Sequence, residues 1–259
     1  MADCSPDDPT ADLQARFPGV RVMHVAAKLT VPALRWRAVP FTRGDLVAAI
    51  EGRTVPSDTW CADLLAAHAR VPEAPAIGGP VALKPGATAF DWGLYFSEFA
   101  AFAPPLPEGP SPQLSGANLS YKRAALDGSR DLMDAGLWEA ALHERWRSRG
   151  EPLWLSRAAV VFHNGMTRAD AIRMRFHYGR SYAADRFRGR PRAMRFAYAW
   201  LCPLLPALLT WRAARHAARA GLAGHFVAGL PWLVALDTVW ACGEMAGYLL
   251  GRAAGAEIF

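Results

Sequence analysis

Gly44-Asp45-Leu46-Val47-Ala48-Ala49-Ile50-Glu51-Gly52-Arg53 decides the fold. A turn pair leads into an apolar run of strand length, and a charged turn closes it. An unbroken apolar run lacks the alternation of a half-exposed strand. It is the pattern of a strand buried on both faces of a mainly parallel sheet. Outward from it the chain alternates strand and helix. Residues 11–16 suit a short helix, and Pro18-Gly19 turns into an alternating strand from Val20 to Val25. Residues 58–70 suit an amphipathic helix with Asp58 or Ser57 at its N-cap. Ile77 to Val81 reads as a strand edge, residues 104–112 as a Pro/Gly-rich loop, residues 137–149 as a helix ending at Gly150, and residues 152–162 as a strand. This order predicts an α/β sheet flanked by helices.

At 259 residues the chain holds one such domain and an appendage, and a core of this size needs no covalent staples. The four cysteines, Cys4, Cys61, Cys202 and Cys242, are scattered without metal-site spacing and read as reduced thiols. Asp3, Asp7 and Asp8 directly follow Met1, so no signal peptide is expected. Much of the net charge of +6 comes from arginines between Arg168 and Arg219. Such a cluster suits nucleic acid, anionic lipid head groups or a nucleotide diphosphate. Its position directly before apolar segments favours lipid, and no nucleic-acid motif is present, so no nucleic-acid partner is expected.

The chain divides into residues 1–190 and an apolar region, 191–259. Phe196 to Trp211 carries no charge but contains Pro203 and Pro206; Leu222 to Leu250 is apolar except for Asp237 and Glu244. A spanning helix needs about 20 apolar residues. Arginine clusters on both sides of the first stretch oppose a simple hairpin under the positive-inside rule. Interfacial or re-entrant helices, with both clusters on the cytoplasmic face, remove that conflict. A buried helical subdomain of a soluble protein is the other reading.

Taken in order, a set of motifs resembles the family 2 glycosyltransferases over nearly the whole chain. Asp3-Cys4-Ser5-Pro6-Asp7-Asp8-Pro9-Thr10 is similar to an acidic loop of that family, and Phe17 to Val22 to the strand after it. Arg43 to Ile50 resembles the approach to the metal motif, and Ile77-Gly78-Gly79-Pro80-Val81 a G-G-x-V strand. Leu114-Ser115-Gly116-Ala117-Asn118-Leu119-Ser120-Tyr121-Lys122-Arg123 resembles the acceptor-side segment. Trp138-Glu139, Leu142-His143 and Gly150 resemble the helix of the catalytic acid. His163, Tyr178-Gly179-Arg180, and the tail with Gly243-Glu244, Gly247-Tyr248 and Gly251 complete the series.

The resemblance implies a GT-A type mixed, mostly parallel sheet and an inverting, hexosyltransferase-type enzyme. Its donor is a nucleotide sugar and its acceptor a lipid-linked or polysaccharide molecule at the cytoplasmic face of the inner membrane. Glu139 is the implied general base, with Asn118 and Trp138 at the acceptor. Asp3, Glu51 and Arg53 are implied at the donor, and Tyr178 and Arg180 at the diphosphate or lipid. The metal motif, a site for Mg or Mn in the family, reads here Glu51-Gly52-Arg53, with one carboxylate kept and an arginine in place of the second. Arg53 matches phosphate oxygens directly. Met1 falls after the family's first strand and helix, which implies a truncated copy, a mis-assigned start or a partner chain that completes the sheet. A catalytically silent membrane-surface scaffold is the alternative function.

Overall fold

The structure is a computed structural model that describes residues 1–4, 7–27, 29–187 and 189–251. Ser5 and Pro6 of the acidic opening motif, and Arg188 of the basic cluster, lie outside the described residues. Strand β1 (Ala2–Asp3), helix α1 (Thr10–Arg16), β2 (Met23–His24) and α2 (Val31–Ala38) lead to β3 (Leu46–Ile50). A tight turn joins β3 to β4 (Thr54–Pro56). Then come α3 (Trp60–Arg70), β5 (Ala76–Gly78), β6 (Val81–Leu83), α4 (Ala89–Phe99), β7 (Gly109–Ser111) and β8 (Asn118–Lys122). Short helices α5 (Arg123–Asp127) and α6 (Arg130–Asp134) precede α7 (Glu139–Ser148), β9 (Leu153–Leu155), β10 (Val161–His163) and α8 (Arg168–Arg186). Helices α9 (Arg192–Leu201), α10 (Leu205–Arg219) and α11 (Ala223–Leu250) follow.

The architecture is α/β, with helices flanking mixed sheets. The larger sheet has the order β3-β8-β5-β9-β7, and a three-stranded sheet the order β4-β10-β6. In the larger sheet only β5 and β9 pair in parallel. In the smaller one β10 runs parallel to β6 and antiparallel to β4. The sheets are therefore mixed, where the sequence pattern led us to expect mostly parallel pairing. The apolar run that suggested it, β3, is an edge strand that pairs with β8 alone. Val47 is buried but Ile50 is 40% exposed, so the run is not covered on both faces. The strand that is covered is β8, where α3 reaches two buried polar side chains, Asn118 and Ser120. Trp60 Nε1 donates to Asn118 Oδ1 at 2.8 Å, and His68 Nε2 lies 2.8 Å from Ser120 Oγ.

Other departures have local causes. Residues 152–162, expected as one strand, divide into β9 and β10, which belong to different sheets. The chain makes the same transfer at Gly79-Pro80, where the backbone of Ala159 passes so close that a Cβ on Gly79 would lie 2.0 Å from its carbonyl oxygen. Helix α3 is capped at Thr59 rather than at Asp58 or Ser57. The Ser57 N–H instead donates to the Val160 carbonyl at 3.0 Å and continues the β4 pairing. Of the strand expected from Val20, only Met23–His24 pairs, alongside β1.

The expected boundary near residue 190 is not a break in packing. Helix α11 runs along α8 and α4, and Ala217 and Leu233 belong to the same buried cluster as Leu119 and Trp146. Two glycines one helical turn apart make the contact with α8 close. A Cβ on Gly243 would lie 2.1 Å from the Phe176 carbonyl oxygen, and one on Gly247 2.3 Å from that of Arg180. Gly243→Val is therefore expected to destabilise the fold by about 1–3 kcal/mol through overpacking, because the obstacle is backbone and cannot rotate away. A thermal melt unchanged from the parent would show that α8 and α11 do not meet here.

Candidate functional site

Glu139 is the first residue of α7, which Trp138 caps in an extended conformation. Its carboxylate is 6% exposed and ion-paired with the Arg35 guanidinium from α2, whose other arm donates to the Gly116 carbonyl at 3.0 Å. Gly116 sits against this pair, where a Cβ would lie 3.6 Å from Glu139 Oε1. Three distant segments thus converge on one carboxylate.

Glu139 lies where two hollows adjoin. The larger, of about 810 Å³, is lined by Glu51, Arg53, Glu98, Trp138, Arg175 and Tyr178, together with Leu201, Leu204, Leu205, Leu208 and Leu209. The smaller, about 330 Å³, shares Trp138, Glu139 and Tyr178 and adds His143 and Arg147. Trp138 and Tyr178 meet edge to face at 5.1 Å and form an aromatic wall common to both. So Glu51, Arg53, Trp138, Glu139 and Tyr178, expected from the sequence, share one cleft.

Three expected residues do not reach it. Asn118 is fully buried and fully used. Its Oδ1 accepts from Trp60, and its amide donates to the carbonyls of Pro80 at 2.8 Å and Ala159 at 2.7 Å. With every polar group consumed inside the core, it is a cross-brace between sheets and not an acceptor ligand. Asp3 pairs with His24 at 2.9 Å in the β1–β2 ribbon and is not among the lining residues. Arg180 donates from Nε to the Gly251 carbonyl at 2.9 Å, tying α8 to the end of α11.

Three lining or supporting groups had no signal in the sequence pattern. Arg35 is separated from Glu139 by most of the sheet. Glu98 sits near the end of α4, where no motif or spacing singles it out. Burial pushes its carboxyl up to about 7, with Glu51 adding to the rise while Arg175 and Arg53 oppose it. Arg175, 5% exposed, bonds Asp237 at 3.3 Å and stacks 4.4 Å over the Trp240 ring. Glu244 completes this cluster, accepting from Trp240 Nε1 at 2.5 Å and from the Tyr248 hydroxyl at 2.8 Å.

A divalent cation is a poor fit here. Glu51 is the carboxylate left in its turn and Arg53 holds the second motif position. Among the described residues no three His, Cys, Asp or Glu side chains gather to hold a metal ion. A guanidinium cannot ligate a cation, and its charge repels one.

His143 and His163 from the motifs, and His68 from α3, are all buried. Burial pushes His143, His163 and His68 each down to about 4. His163 accepts from the Gly165 N–H at 3.0 Å and packs on Phe99 at 5.0 Å. Because their folded pKa lies below the unfolded value, the stability they contribute is full above about 6.5 and is lost as pH falls towards 4. Each steepens the decline by about 1.4 kcal/mol per pH unit in that window. In thermal melts between those limits, His163→Gln is expected to flatten the pH dependence by one such increment. An unchanged slope would mean that His163 takes up its proton while folded.

No protein-family model matches the chain, and no curated protein matches it.

Proposed function

We propose that the chain is a GT-A type glycosyltransferase that moves a sugar from a nucleotide sugar to a lipid-linked acceptor at a membrane surface. One observation carries the reading. Glu51, Arg53 and Glu139, picked out by motif order, share a cleft that leucines from the apolar helices also line. Polar chemistry and a lipid-compatible surface occupy the same hollow, and that combination favours a lipid-linked acceptor over a free polysaccharide. The helical segments Arg192–Arg219 and Ala223–Leu250 are long and apolar enough to cross a membrane. Only 11% of the first is buried, and Trp200, Leu204, Phe196 and Trp211 are more than half exposed. Aromatics beside arginines suit a membrane interface. Helix α11 runs along α8, which carries exposed Arg173 and Arg186, so an in-plane placement costs less than a crossing.

In this reading Arg35 holds the Glu139 carboxylate towards the acceptor hydroxyl. As the acceptor oxygen bonds to the anomeric carbon, its proton passes to Glu139, the bond from that carbon to the donor phosphate breaks, and a nucleoside diphosphate leaves. Trp138 and Tyr178 offer aromatic faces to a sugar ring. Water exclusion comes from the leucine wall and the lipid itself.

The second reading, a silent scaffold, is favoured by the Arg35 ion pair that already occupies Glu139 and by the arginine in the metal motif. The test is a panel of nucleotide sugars with extracted membrane lipid as acceptor, scored by nucleoside diphosphate release and by a mass increase of one sugar in the lipid fraction. Sugar transfer that requires Glu139 supports the enzyme. Neither signal with any donor, from a folded chain, sinks it.

A further inference from the structure

We propose that Arg53 and Arg175 bind the donor's diphosphate directly, in place of a divalent cation, so that donor binding needs no metal. The inference rests on the glycosyltransferase reading and specifies how its donor is held. Both guanidinium groups line the larger hollow. Both carry an Nε–H that is shielded from solvent and has no acceptor within the protein. The Arg53 terminal nitrogen has only the thioether sulfur of Met174, at 3.6 Å, a weak acceptor. Arg175, which lines the hollow, is held by Asp237 at one arm and by the Trp240 ring face. Orphaned cationic donors in a shielded place cost free energy until an anion meets them. A planar guanidinium matches two phosphate oxygens at once, and two of them match the two phosphates of a diphosphate.

The acidic groups facing these arginines are Glu51 and Glu98, with Asp237 and Glu244 behind Arg175. Glu51 and Glu98 are the carboxylates that a cation would need there. Arg53 and Arg175 each act on Glu98, so the carboxylates there are already met by fixed positive charges, which oppose a divalent ion and add their attraction for a diphosphate. The raised proton affinity of Glu98 lessens its repulsion of an incoming anion near neutrality.

The experiment is calorimetric titration of the full chain in detergent with UDP, with inorganic pyrophosphate and with farnesyl diphosphate, each in EDTA and again with Mg or Mn. UDP is expected to bind equally well in EDTA and in metal. Arg53→Gln is expected to weaken it about tenfold or more, and Arg53→Lys to restore only part, because an ammonium cannot make the two-point contact. A folded state confirmed by circular dichroism accompanies each variant. Binding that appears only with Mg or Mn overturns the inference and leaves the glycosyltransferase reading standing. An Arg53→Gln affinity equal to the parent's overturns it as well. Farnesyl diphosphate binding more tightly than UDP would assign the arginines to an acceptor and overturn the donor assignment. No binding of any probe by a folded chain removes both the inference and the reading beneath it.

Discussion

Replacing Glu139 by Gln is expected to slow sugar transfer by roughly 10²–10⁴-fold while leaving donor affinity within the parent's range. The amide keeps the shape and one oxygen of the carboxylate but has no basicity to receive the acceptor's proton. Arg35 retains its bond to the Gly116 carbonyl, so the variant keeps a partner for that guanidinium and remains folded. The measurement is kcat for nucleoside diphosphate release, alongside a calorimetric donor Kd. If kcat fell and the donor Kd rose together, Glu139 would be a binding or structural residue. If neither moved, the base would lie elsewhere in the cleft. Arg35→Met separates orientation from proton transfer: it leaves the carboxylate in place but free to rotate, and is expected to give a smaller loss in kcat.

Asp237→Ala carries the largest expected loss of stability. Asp237 is 1% exposed and Arg175 5% exposed, and they face one another at 3.3 Å between α11 and α8. Removing Asp237 leaves the buried Arg175 guanidinium without its hydrogen-bonded carboxylate, with only coulombic help from Glu98 and Glu244, at about 3–5 kcal/mol. For a chain of this size that corresponds to a fall in Tm of roughly 6–20 °C. The double replacement Arg175→Met, Asp237→Leu is expected to regain most of it, since no charge then remains to be solvated. A double variant no more stable than Asp237→Ala would show that packing, rather than charge, joins the helices.

Several elements were legible before any coordinates. Helix α1 and strand β3 fall close to their expected bounds, and the apolar helices α9 to α11 follow the uncharged stretches between arginines. The turn Glu51-Gly52-Arg53 was recognisable as charged punctuation after an apolar run, the start of α7 was singled out only by the family resemblance, and both reach the cleft. Asn118 shows the limit of that method. A polar residue opening a strand looks the same whether it faces a ligand or braces two sheets, because hydrogen-bond partners such as Pro80 and Ala159 are remote in sequence. Burial of β3 was misread for a related reason: an apolar run encodes the wish to be covered, and its position at the edge depends on which strands the rest of the chain supplies.

Short-range chemistry alone settled the class of structure: strand-length apolar runs, glycine and proline punctuation, and long uncharged helical stretches bounded by arginine. Those are local properties, carried by periodicity and backbone preference. The tertiary structure alone decided which charges meet. Arg35 with Glu139, Arg175 with Asp237, and Glu98 beside Glu51 are pairs brought together by sheet order and helix packing, and electrostatic energy depends on their separation in space, which spacing along the chain does not encode.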